Sequence, residues 1–167
     1  MVPCAICQIV WSNECAGALL AVQRVLSSSP VLLLPDPFAP FVVQTDASST
    51  GIGAVLLQER EGDLHPISYV SRKLLDRETR YSTIERECLA IVWSLSKFSR
   101  YLWGKTFVLQ TDHRPLKYLG SGKYKNARIM RWCLSLQEFS FEIEALPGKK
   151  NTFADMLSRS QAEQTVP

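Results

Sequence analysis

The sequence has no segment that could cross a membrane and no secretory start. Its longest apolar stretch, residues 16–34, is broken by polar residues at 23, 24 and 27–29, so it is too interrupted for a bilayer-spanning helix. Residues 1–10 lack the basic start and the small-residue cleavage site of a secretory signal. The five cysteines are odd in number and are expected to stay reduced. We therefore expect a protein of the cytoplasm or the nucleus that is not secreted.

Residues that bind zinc are also scarce. The chain has two histidines, and Cys4 and Cys7 have no second cysteine or histidine pair nearby, so zinc binding and redox chemistry are not favoured. Both cysteines are interpreted as ordinary thiols. With 167 residues, the chain is long enough for one domain with a single core and tails.

Acidic residues are nearly absent from one long segment. Between Lys97 and Arg131 lie nine basic residues and one acid, Asp112. Such a segment is typical of a surface that binds phosphates and presents flat rings to sugars or bases, and the interleaved rings are Tyr101, Trp103, Tyr118 and Tyr124. A solvated basic helix and loop explains the charges equally well.

One short strand pattern occurs twice in the chain. Residues 43–46 read Val-Gln-Thr-Asp and residues 109–112 read Leu-Gln-Thr-Asp, so both copies end in an aspartate. If the two strands are parallel neighbours in matched register, Asp46 and Asp112 lie at the same end and on the same face of one sheet. Two carboxylates ~4 Å apart repel by about 4 kcal/mol at an effective dielectric constant near 20, so the pair indicates a site for cations or shared protons.

Hydrophobic periodicity predicts an α/β arrangement around these strands. Alternating apolar residues and short polar turns predict an antiparallel meander at 41–46, 52–58 and 65–70. An apolar stripe from Ile84 to Leu102 predicts a long helix that ends at Gly104, after which a right-handed crossover can place the strand at 107–112 parallel to the first. The remaining predicted elements are helices at 13–28, 127–139 and 151–159 and a strand at 139–146.

Two helical acids complete a candidate cation site. Glu87 lies near the buried face of the long helix, whereas Glu85 fits a capping box with Ser82 and so has a structural explanation. Asp155 begins the last helix, although Thr152 with Asp155 also fits a capping box. Two strand-end aspartates, one glutamate and one further aspartate can hold two divalent ions, and their oxygen ligands favour Mg²⁺ or Mn²⁺ over zinc.

The ordered set of motifs resembles one known family. The motifs are Thr45-Asp46-Ala47-Ser48, residues 81–92, Thr111-Asp112-His113, residues 128–132 and residues 147–159. Together they are similar, in order and spacing, to the ribonuclease H domain of gypsy-type LTR retrotransposon reverse transcriptases. The resemblance covers about residues 11–159. It implies a lead-in from a polymerase at 1–38, a ribonuclease H-like domain at 39–159 and a flexible tail at 160–167.

The resemblance implies a ribonuclease H-like α/β fold, in which a five-stranded mixed sheet of three antiparallel strands and then two parallel strands has helices on both faces. It also implies an active site in which two Mg²⁺ ions, or Mn²⁺ in their place, serve to cleave the RNA strand of an RNA:DNA hybrid during reverse transcription. The implied partners are the hybrid and the polymerase domain of the parent polyprotein, with no membrane, in a cytoplasmic virus-like particle or the nucleus. The implied catalytic and metal-binding residues are Asp46, Glu87, Asp112 and Asp155.

The same resemblance indicates which residues contact the hybrid. Gly51 and Gly53 would let the backbone approach it, although plain turn and strand glycines explain them equally well. Many cellular and retroviral ribonucleases H carry a mobile histidine shortly before the last aspartate, and residues 146–150 contain none, as in gypsy-type relatives. His113 could assist near the metals but is interpreted more readily as a helix-start or packing histidine. The expected substrate-binding residues are Ser48, Gly51, Gly53, His113, Arg114, Lys117, Arg128 and Arg131.

Two alternatives to an active nuclease stay open. The chain has no polymerase domain and no Tyr-x-Asp-Asp motif, so it is expected to be a piece of a polyprotein or a host gene derived from one. A catalytically inactive, domesticated domain that binds nucleic acid or serves as a scaffold has the same sequence pattern. An integrase or transposase is disfavoured, because those enzymes order their acids Asp, Asp, Glu, whereas this chain has Asp, Glu, Asp, Asp.

Overall fold

The structure, a computed structural model, describes residues 12–26, 33–112, 127–147 and 151–159. The chain divides into two compact units, residues 1–33 and 34–167. In the first unit, helix α1 spans Asn13–Leu26 and begins where the Ser12 hydroxyl accepts a hydrogen bond from the Cys15 amide (3.3 Å). Cys4, Cys7, residues 27 and 28 of the predicted helix and the predicted tail lie outside the described residues. The predicted domain boundary after residue 38 stays a prediction.

In the described part of the second unit, the chain forms a five-stranded mixed sheet. Its strands are β1 (Phe41–Ala47), β2 (Gly51–Arg60), β3 (Asp63–Lys73), β4 (Thr106–Thr111) and β5 (Ser140–Ala145). They lie in the order β3-β2-β1-β4-β5, with β1–β2 and β2–β3 antiparallel and with β1–β4 and β4–β5 parallel. The predicted sheet of three antiparallel strands followed by two parallel strands is confirmed.

The β2–β3 hairpin is longer than its periodicity predicts. Its turn consists of Glu61 and Gly62, which both have positive φ (56° and 91°), the backbone that a tight two-residue hairpin turn requires. The predicted range of 65–70 is too short for β3. Because β3 is an edge strand, most of its residues are half-exposed and do not alternate clearly between apolar and polar, so the pattern does not mark the ends of the strand. The same edge position tolerates Pro66, next to a register shift in the pairing with β2.

Three further helices follow in the described residues: α2 (Thr83–Leu102), α3 (Ala127–Leu136) and α4 (Thr152–Arg159). The predicted capping box starts α2, since the Ser82 hydroxyl accepts from the Glu85 amide and the Glu85 carboxylate accepts from the Ser82 amide. Gly104, with φ of +71°, follows the last turn of α2. α3 ends at Leu136 rather than at 139, because the chain leaves the helix in a turn closed by the Phe139 amide and the Leu136 carbonyl (3.1 Å).

The helices cover both faces of the sheet, as predicted. Successive side chains of β1 point to opposite faces. On one face, the Phe41 ring centroid lies 6.4 Å from that of Tyr101 in α2, and on the other face the Asp46 carboxylate accepts a hydrogen bond from Ser158 in α4. The largest fully buried side chains include Phe41, Phe98 and Phe107. Among the described helices, none combines the length and the apolar character that a membrane span requires.

Candidate active site

The two copies of the repeated strand are parallel neighbours in the sheet. β1 and β4 pair with Gln44 opposite Gln110, and the Gln44 side-chain amide donates a hydrogen bond to the Gln110 side-chain oxygen (2.8 Å). Gln110 in turn donates to the Glu144 carboxylate in β5 (3.0 Å). The matched register brings Asp46 and Asp112 to the same end of the sheet, as the sequence predicts.

Asp46 and Asp112 share this end of the sheet with Glu87 of α2. Each of the three residues offers one carboxylate oxygen, and these three oxygens lie within 4.8 Å of one another. Asp46 and Glu87 are buried, with exposed fractions of 6% and 4%, whereas Asp112 is exposed. The structure therefore brings together three of the four predicted acids.

Glu87 lies in surroundings that disfavour its negative charge. Burial raises the pKa of Glu87 to about 9, and the charges of Asp46 and Asp112 contribute to this rise. A hydrogen bond from the Ala47 amide acts in the opposite direction. One oxygen of the carboxylate, Oε2, is buried without a hydrogen-bond partner among the described residues. A bound cation would stabilise such a group.

Glu85, two residues before Glu87, has the structural role that the capping box predicts. Besides capping α2, its Oε1 accepts a hydrogen bond from Nη1 of Arg128 in α3 (2.7 Å). The Arg128 guanidinium also lies 4.1 Å from the centroid of the Tyr81 ring. Glu85 therefore connects α2 to α3, whereas Glu87 points to the aspartates.

Asp46 is held by helix α4. The Ser158 hydroxyl donates a hydrogen bond of 2.5 Å to Oδ2 of Asp46, and Ser158 is itself fully buried. Burial raises the pKa of Asp46, the hydrogen bond from Ser158 opposes this rise, and the charges of Asp112 and Asp155 add to it. The Ser158 hydroxyl also lies 2.9 Å from the Asp155 carbonyl oxygen, so the fourth acid lies near Asp46.

Asp155 lies beside the three-carboxylate cluster rather than in it. Its Oδ1 accepts a hydrogen bond from Nε of Arg159, one helical turn later (2.6 Å), and its side chain is 41% exposed. The alternative capping box of Thr152 with Asp155 does not form, because Thr152 is already the first residue of α4 and the Asp155 amide donates to the Asn151 carbonyl (3.0 Å). Asp155 therefore does not cap α4, and its carboxylate is paired with Arg159 beside the cluster.

A close approach of α4 to β2 places Ser158 at the site. Gly53 of β2 lies opposite Asp46. A β-carbon at Gly53 would lie 2.6 Å from Cβ of Leu157 and 2.7 Å from the Ser158 amide nitrogen, distances at which the helix would have to move. Close packing of α4 against β2 therefore explains why position 53 is a glycine.

Two residues of this arrangement were not predicted from the sequence. Ser158 contacts Asp46, and the buried Asn151 donates from its side-chain amide to the Thr45 carbonyl in β1 (3.0 Å). A spacing of three residues places Ser158 on the same helix face as Asp155, and this was the available sequence signal. It could not identify Asp46 as the partner, which is 112 residues away in sequence.

Ser48, a predicted substrate-binding residue, organises the β1–β2 turn. Its hydroxyl oxygen accepts hydrogen bonds from the amides of Thr50 (3.1 Å) and Gly51 (2.9 Å). The same hydroxyl donates to the Ser158 carbonyl in α4 (2.7 Å). Gly51 is buried at the start of β2. These contacts give both residues a structural role, and their contact with nucleic acid stays a prediction.

The predicted basic contacts lie partly in α3. Arg131 is exposed there, whereas Arg128 is half-buried through its pairing with Glu85. A role of either arginine in holding phosphates stays a prediction. Three further predicted residues lie outside the described part of the chain: His113, Arg114 and Lys117.

The cluster of Asp46, Glu87 and Asp112 fits a divalent cation. It offers only carboxylate oxygens, which Mg²⁺ and Mn²⁺ prefer. At the 4.8 Å limit of their separation, two charged carboxylates repel by about 3 kcal/mol at an effective dielectric constant of about 20. A cation would remove this repulsion and would give the free oxygen of Glu87 a partner.

The chain is similar to proteins of one family. Residues 36–139 match the family described as RNase H-like domain found in reverse transcriptase. The chain is 43% identical over 151 residues to the retrovirus-related Pol polyprotein from transposon 297 of Drosophila melanogaster, a match that covers 90% of the chain and 14% of that polyprotein. It is 42% identical over 145 residues to the Pol polyprotein from transposon gypsy of the same organism, covering 86% and 14%. The chain thus spans about a seventh of the length of these relatives.

Solved structures have the same fold at low sequence identity. The foamy viral protease-reverse transcriptase in complex with RNA/DNA hybrid matches with a TM-score of 0.56 and 21% identity, over 94% of this chain and 21% of that one. The N-terminal RNase H domain of Rv2228c from Mycobacterium tuberculosis matches with a TM-score of 0.59 and 18% identity, over 73% of this chain and 92% of that domain chain. The fold is therefore that of ribonucleases H.

Proposed function

Because the chain belongs to the family of RNase H-like domains found in reverse transcriptases, we propose that it is a metal-dependent endonuclease that cleaves the RNA strand of RNA:DNA hybrids. The observation that carries this proposal is the cluster of three carboxylates from β1, α2 and the end of β4, whose oxygens lie within 4.8 Å of one another. A domain that only bound nucleic acid would gain nothing from this cluster, since carboxylates repel phosphates.

The proposed substrate is supported by a structural relative. A foamy viral reverse transcriptase with the same fold has been solved in complex with an RNA/DNA hybrid. By analogy, the hybrid and the polymerase domain of a parent polyprotein are the proposed partners here. The proposed place of action is a cytoplasmic virus-like particle or the nucleus.

The four acids have distinct proposed roles. Asp46, Glu87 and Asp112 would hold one Mg²⁺ or Mn²⁺, and Asp155, whose charge reaches Asp46, would contribute to a second. When bound, the cations would supply the positive charge that promotes attack by water and departure of the 3′-oxygen, leaving a 5′-phosphate. The burial of Asp46 and Glu87 keeps that side of the site in a low-dielectric environment, where electrostatic stabilisation is stronger.

Recognition of the RNA strand is proposed to rest on its 2′-hydroxyl groups, which lie in a wide minor groove that side chains can reach. Ser48, at the β1–β2 turn, is separated from Asp46 only by Ala47 and so lies near the proposed reaction centre. The exposed Arg131 on α3 and the basic residues at 113–126 would hold phosphates. Affinity should therefore fall steeply as the salt concentration rises.

A cleavage assay tests the proposal. An RNA strand labelled at its 5′ end is annealed to DNA or to RNA and incubated with the 167-residue chain in magnesium or in EDTA. We expect cleavage only of the hybrid and only with the metal. Asp112→Asn should lower the rate by about 100-fold or more, because it removes a metal ligand. Glu142→Gln is the matched control, since it makes the same change at an exposed acid in β5 outside the cluster.

Three outcomes would contradict a nuclease that cleaves the hybrid. Binding of the hybrid without any metal-dependent product would identify a binding or scaffolding domain that has lost turnover. A product that Asp112→Asn leaves undiminished would identify a contaminating nuclease. Strand transfer between DNA molecules, in place of RNA cleavage, would point to an integrase-like activity.

A further inference from the structure

The Ser158 hydroxyl is placed to orient the Asp46 carboxylate. Its contact with Oδ2 measures 2.5 Å, which lies in the range of hydrogen bonds from a hydroxyl to an ionised carboxylate. The same hydroxyl lies 2.9 Å from the Asp155 carbonyl oxygen, one turn earlier in α4. A hydroxyl has a single proton to donate, and the shorter, charge-assisted contact is the stronger one. The proton of Ser158 therefore points to Asp46.

We propose that Ser158 is a positioning residue for the cation site. By binding Oδ2 of Asp46, it fixes the plane of the carboxylate and leaves the other oxygen for a cation shared with Glu87 and Asp112. The terminal torsion of an unrestrained aspartate is broad, so a ligand that is already oriented loses less freedom when the metal binds. This inference rests on the proposed metal-dependent function.

Ser158 can orient Asp46 because the backbone of Ser158 is itself anchored. The Ser48 hydroxyl donates a hydrogen bond to the Ser158 carbonyl oxygen (2.7 Å). The absence of a side chain at Gly53 lets the Ser158 amide approach β2. The Ser48 carbonyl in turn accepts a hydrogen bond from Nη1 of Arg86, the neighbour of Glu87 in α2 (3.1 Å). Hydrogen bonds thus connect α2, the β1–β2 turn and α4 around the site.

Ser94 in α2 provides a matched control. Like Ser158 it is fully buried, and its hydroxyl donates to the carbonyl three residues earlier, that of Ile91 (3.0 Å). In Ser158 the hydroxyl lies at a similar distance from the local carbonyl, that of Asp155 (2.9 Å), but its proton points to Asp46. A general cost of removing a buried helical hydroxyl should therefore appear in both alanine variants, whereas an effect through Asp46 should appear only in Ser158→Ala.

Binding of Mn²⁺ and Mg²⁺ to the full chain, measured by titration calorimetry, tests the proposal without the use of activity. Wild type, Ser158→Ala, Ser158→Thr and Ser94→Ala are compared, with thermal unfolding in EDTA as the measure of folding. We expect Ser158→Ala to weaken metal binding about 10-fold, as is typical when a hydrogen-bond partner of a metal ligand is removed. Ser158→Thr, which keeps the hydroxyl, should restore the affinity, and Ser94→Ala should bind as wild type does.

Equal dissociation constants for wild type and Ser158→Ala would overturn the proposal. So would a folded threonine variant that binds as weakly as the alanine variant, because the hydroxyl would then not be the relevant group. If Ser158→Ala fails to fold, Ser158→Cys keeps the volume with a weak donor and gives the same comparison. Failure of wild type to bind either metal would overturn the proposed function as well, whereas normal binding by wild type and Ser158→Ala overturns only this inference.

Discussion

In the absence of divalent cations, replacement of Glu87 by glutamine should stabilise the folded protein. The pKa of Glu87 is raised by burial to about 9, against 4.5 for an ordinary glutamate. At pH 7, folding therefore requires Glu87 to take up a proton, at a cost of about 3 kcal/mol calculated with about 1.4 kcal/mol per pH unit. Glutamine is neutral and of similar volume, so Glu87→Gln should increase the free energy of unfolding by up to about 3 kcal/mol at this pH.

The stabilisation expected for Glu87→Gln depends on pH, because Glu87 binds a proton when the protein folds. The folded protein binds more protons than the unfolded chain between the unfolded pKa of 4.5 and the folded pKa of about 9. The free energy of unfolding of wild type should therefore fall as the pH rises through this window, with a contribution from Glu87 of about 1.4 kcal/mol per pH unit. Glu87→Gln lacks this contribution, so the two proteins should have similar stabilities below pH 4.5.

Urea denaturation in EDTA at several pH values is the appropriate assay. Glu85→Gln is the control, because Glu85 is also buried in α2 but is paired with Arg128 (2.7 Å) and caps the helix. That variant should lose about 1–2 kcal/mol. The reasoning would be refuted if Glu87→Gln were no more stable than wild type at neutral pH, or if both proteins had the same dependence on pH.

Magnesium should reduce the advantage of the glutamine variant. A cation that binds only the folded wild type stabilises it by about 1.4 kcal/mol at ten times its dissociation constant. Glu87→Gln has lost one ligand of the cluster and should gain less from the same concentration. Unfolding midpoints measured across a magnesium titration would record the difference, and equal gains would exclude Glu87 as a ligand.

Two further predictions concern packing and acid stability. Gly53→Ala should reduce the free energy of unfolding by about 1–3 kcal/mol in urea denaturation. The added β-carbon would lie 2.7 Å from the Ser158 amide nitrogen. Gly17→Ala is the control and should show no loss, because a β-carbon there would have no neighbour within 4 Å. Burial raises the pKa of Glu78, but hydrogen bonds from Arg72 and the Leu75 amide lower it more, so the net shift is downward. The stability that Glu78 contributes is present above the unfolded pKa of 4.5 and is lost as the pH falls through the lowered folded pKa. An acid titration followed by circular dichroism should therefore show a weaker pH dependence for Glu78→Gln, and an unchanged acid midpoint would contradict this assignment.

Local sequence patterns were sufficient for most of the fold. The apolar stripe of α2 and the capping box at Ser82 depend on residues within a few positions of one another, so both could be read directly. The end of α3 and the extent of β3 could not, because a turn at Phe139 and an exposed sheet edge have no clear periodicity. Predictions were accurate where burial imposes a repeat and inaccurate where it does not.

In the candidate site, too, the features set by local sequence could be predicted and those set by packing between elements could not. The capping of α2 by Glu85 could be predicted from the sequence. Because Glu85 was thereby explained and Glu87 lies near the buried face of the helix, Glu87 was correctly predicted to belong to the cluster. The position of Asp155 beside the cluster, in contact with Arg159, was not predictable, since the orientation of a half-exposed side chain depends on residues from other elements as well as its own helix. The contact of Ser158 with Asp46 depends on how closely α4 packs on the sheet, which no local pattern encodes.

By itself, the sequence determined that two strands have an aspartate at or just after their ends and that one glutamate of α2 lies near the buried face of its helix. Alternation in strands and the 3.6-residue period of a helix are properties of the local backbone, so they can be read from residue order. Only the tertiary structure decided that Asp46, Glu87 and Asp112 lie within 4.8 Å and that Ser158 restrains one of them. Such distances depend on how separate elements pack, and here the absence of a single β-carbon at Gly53 lets α4 come close enough.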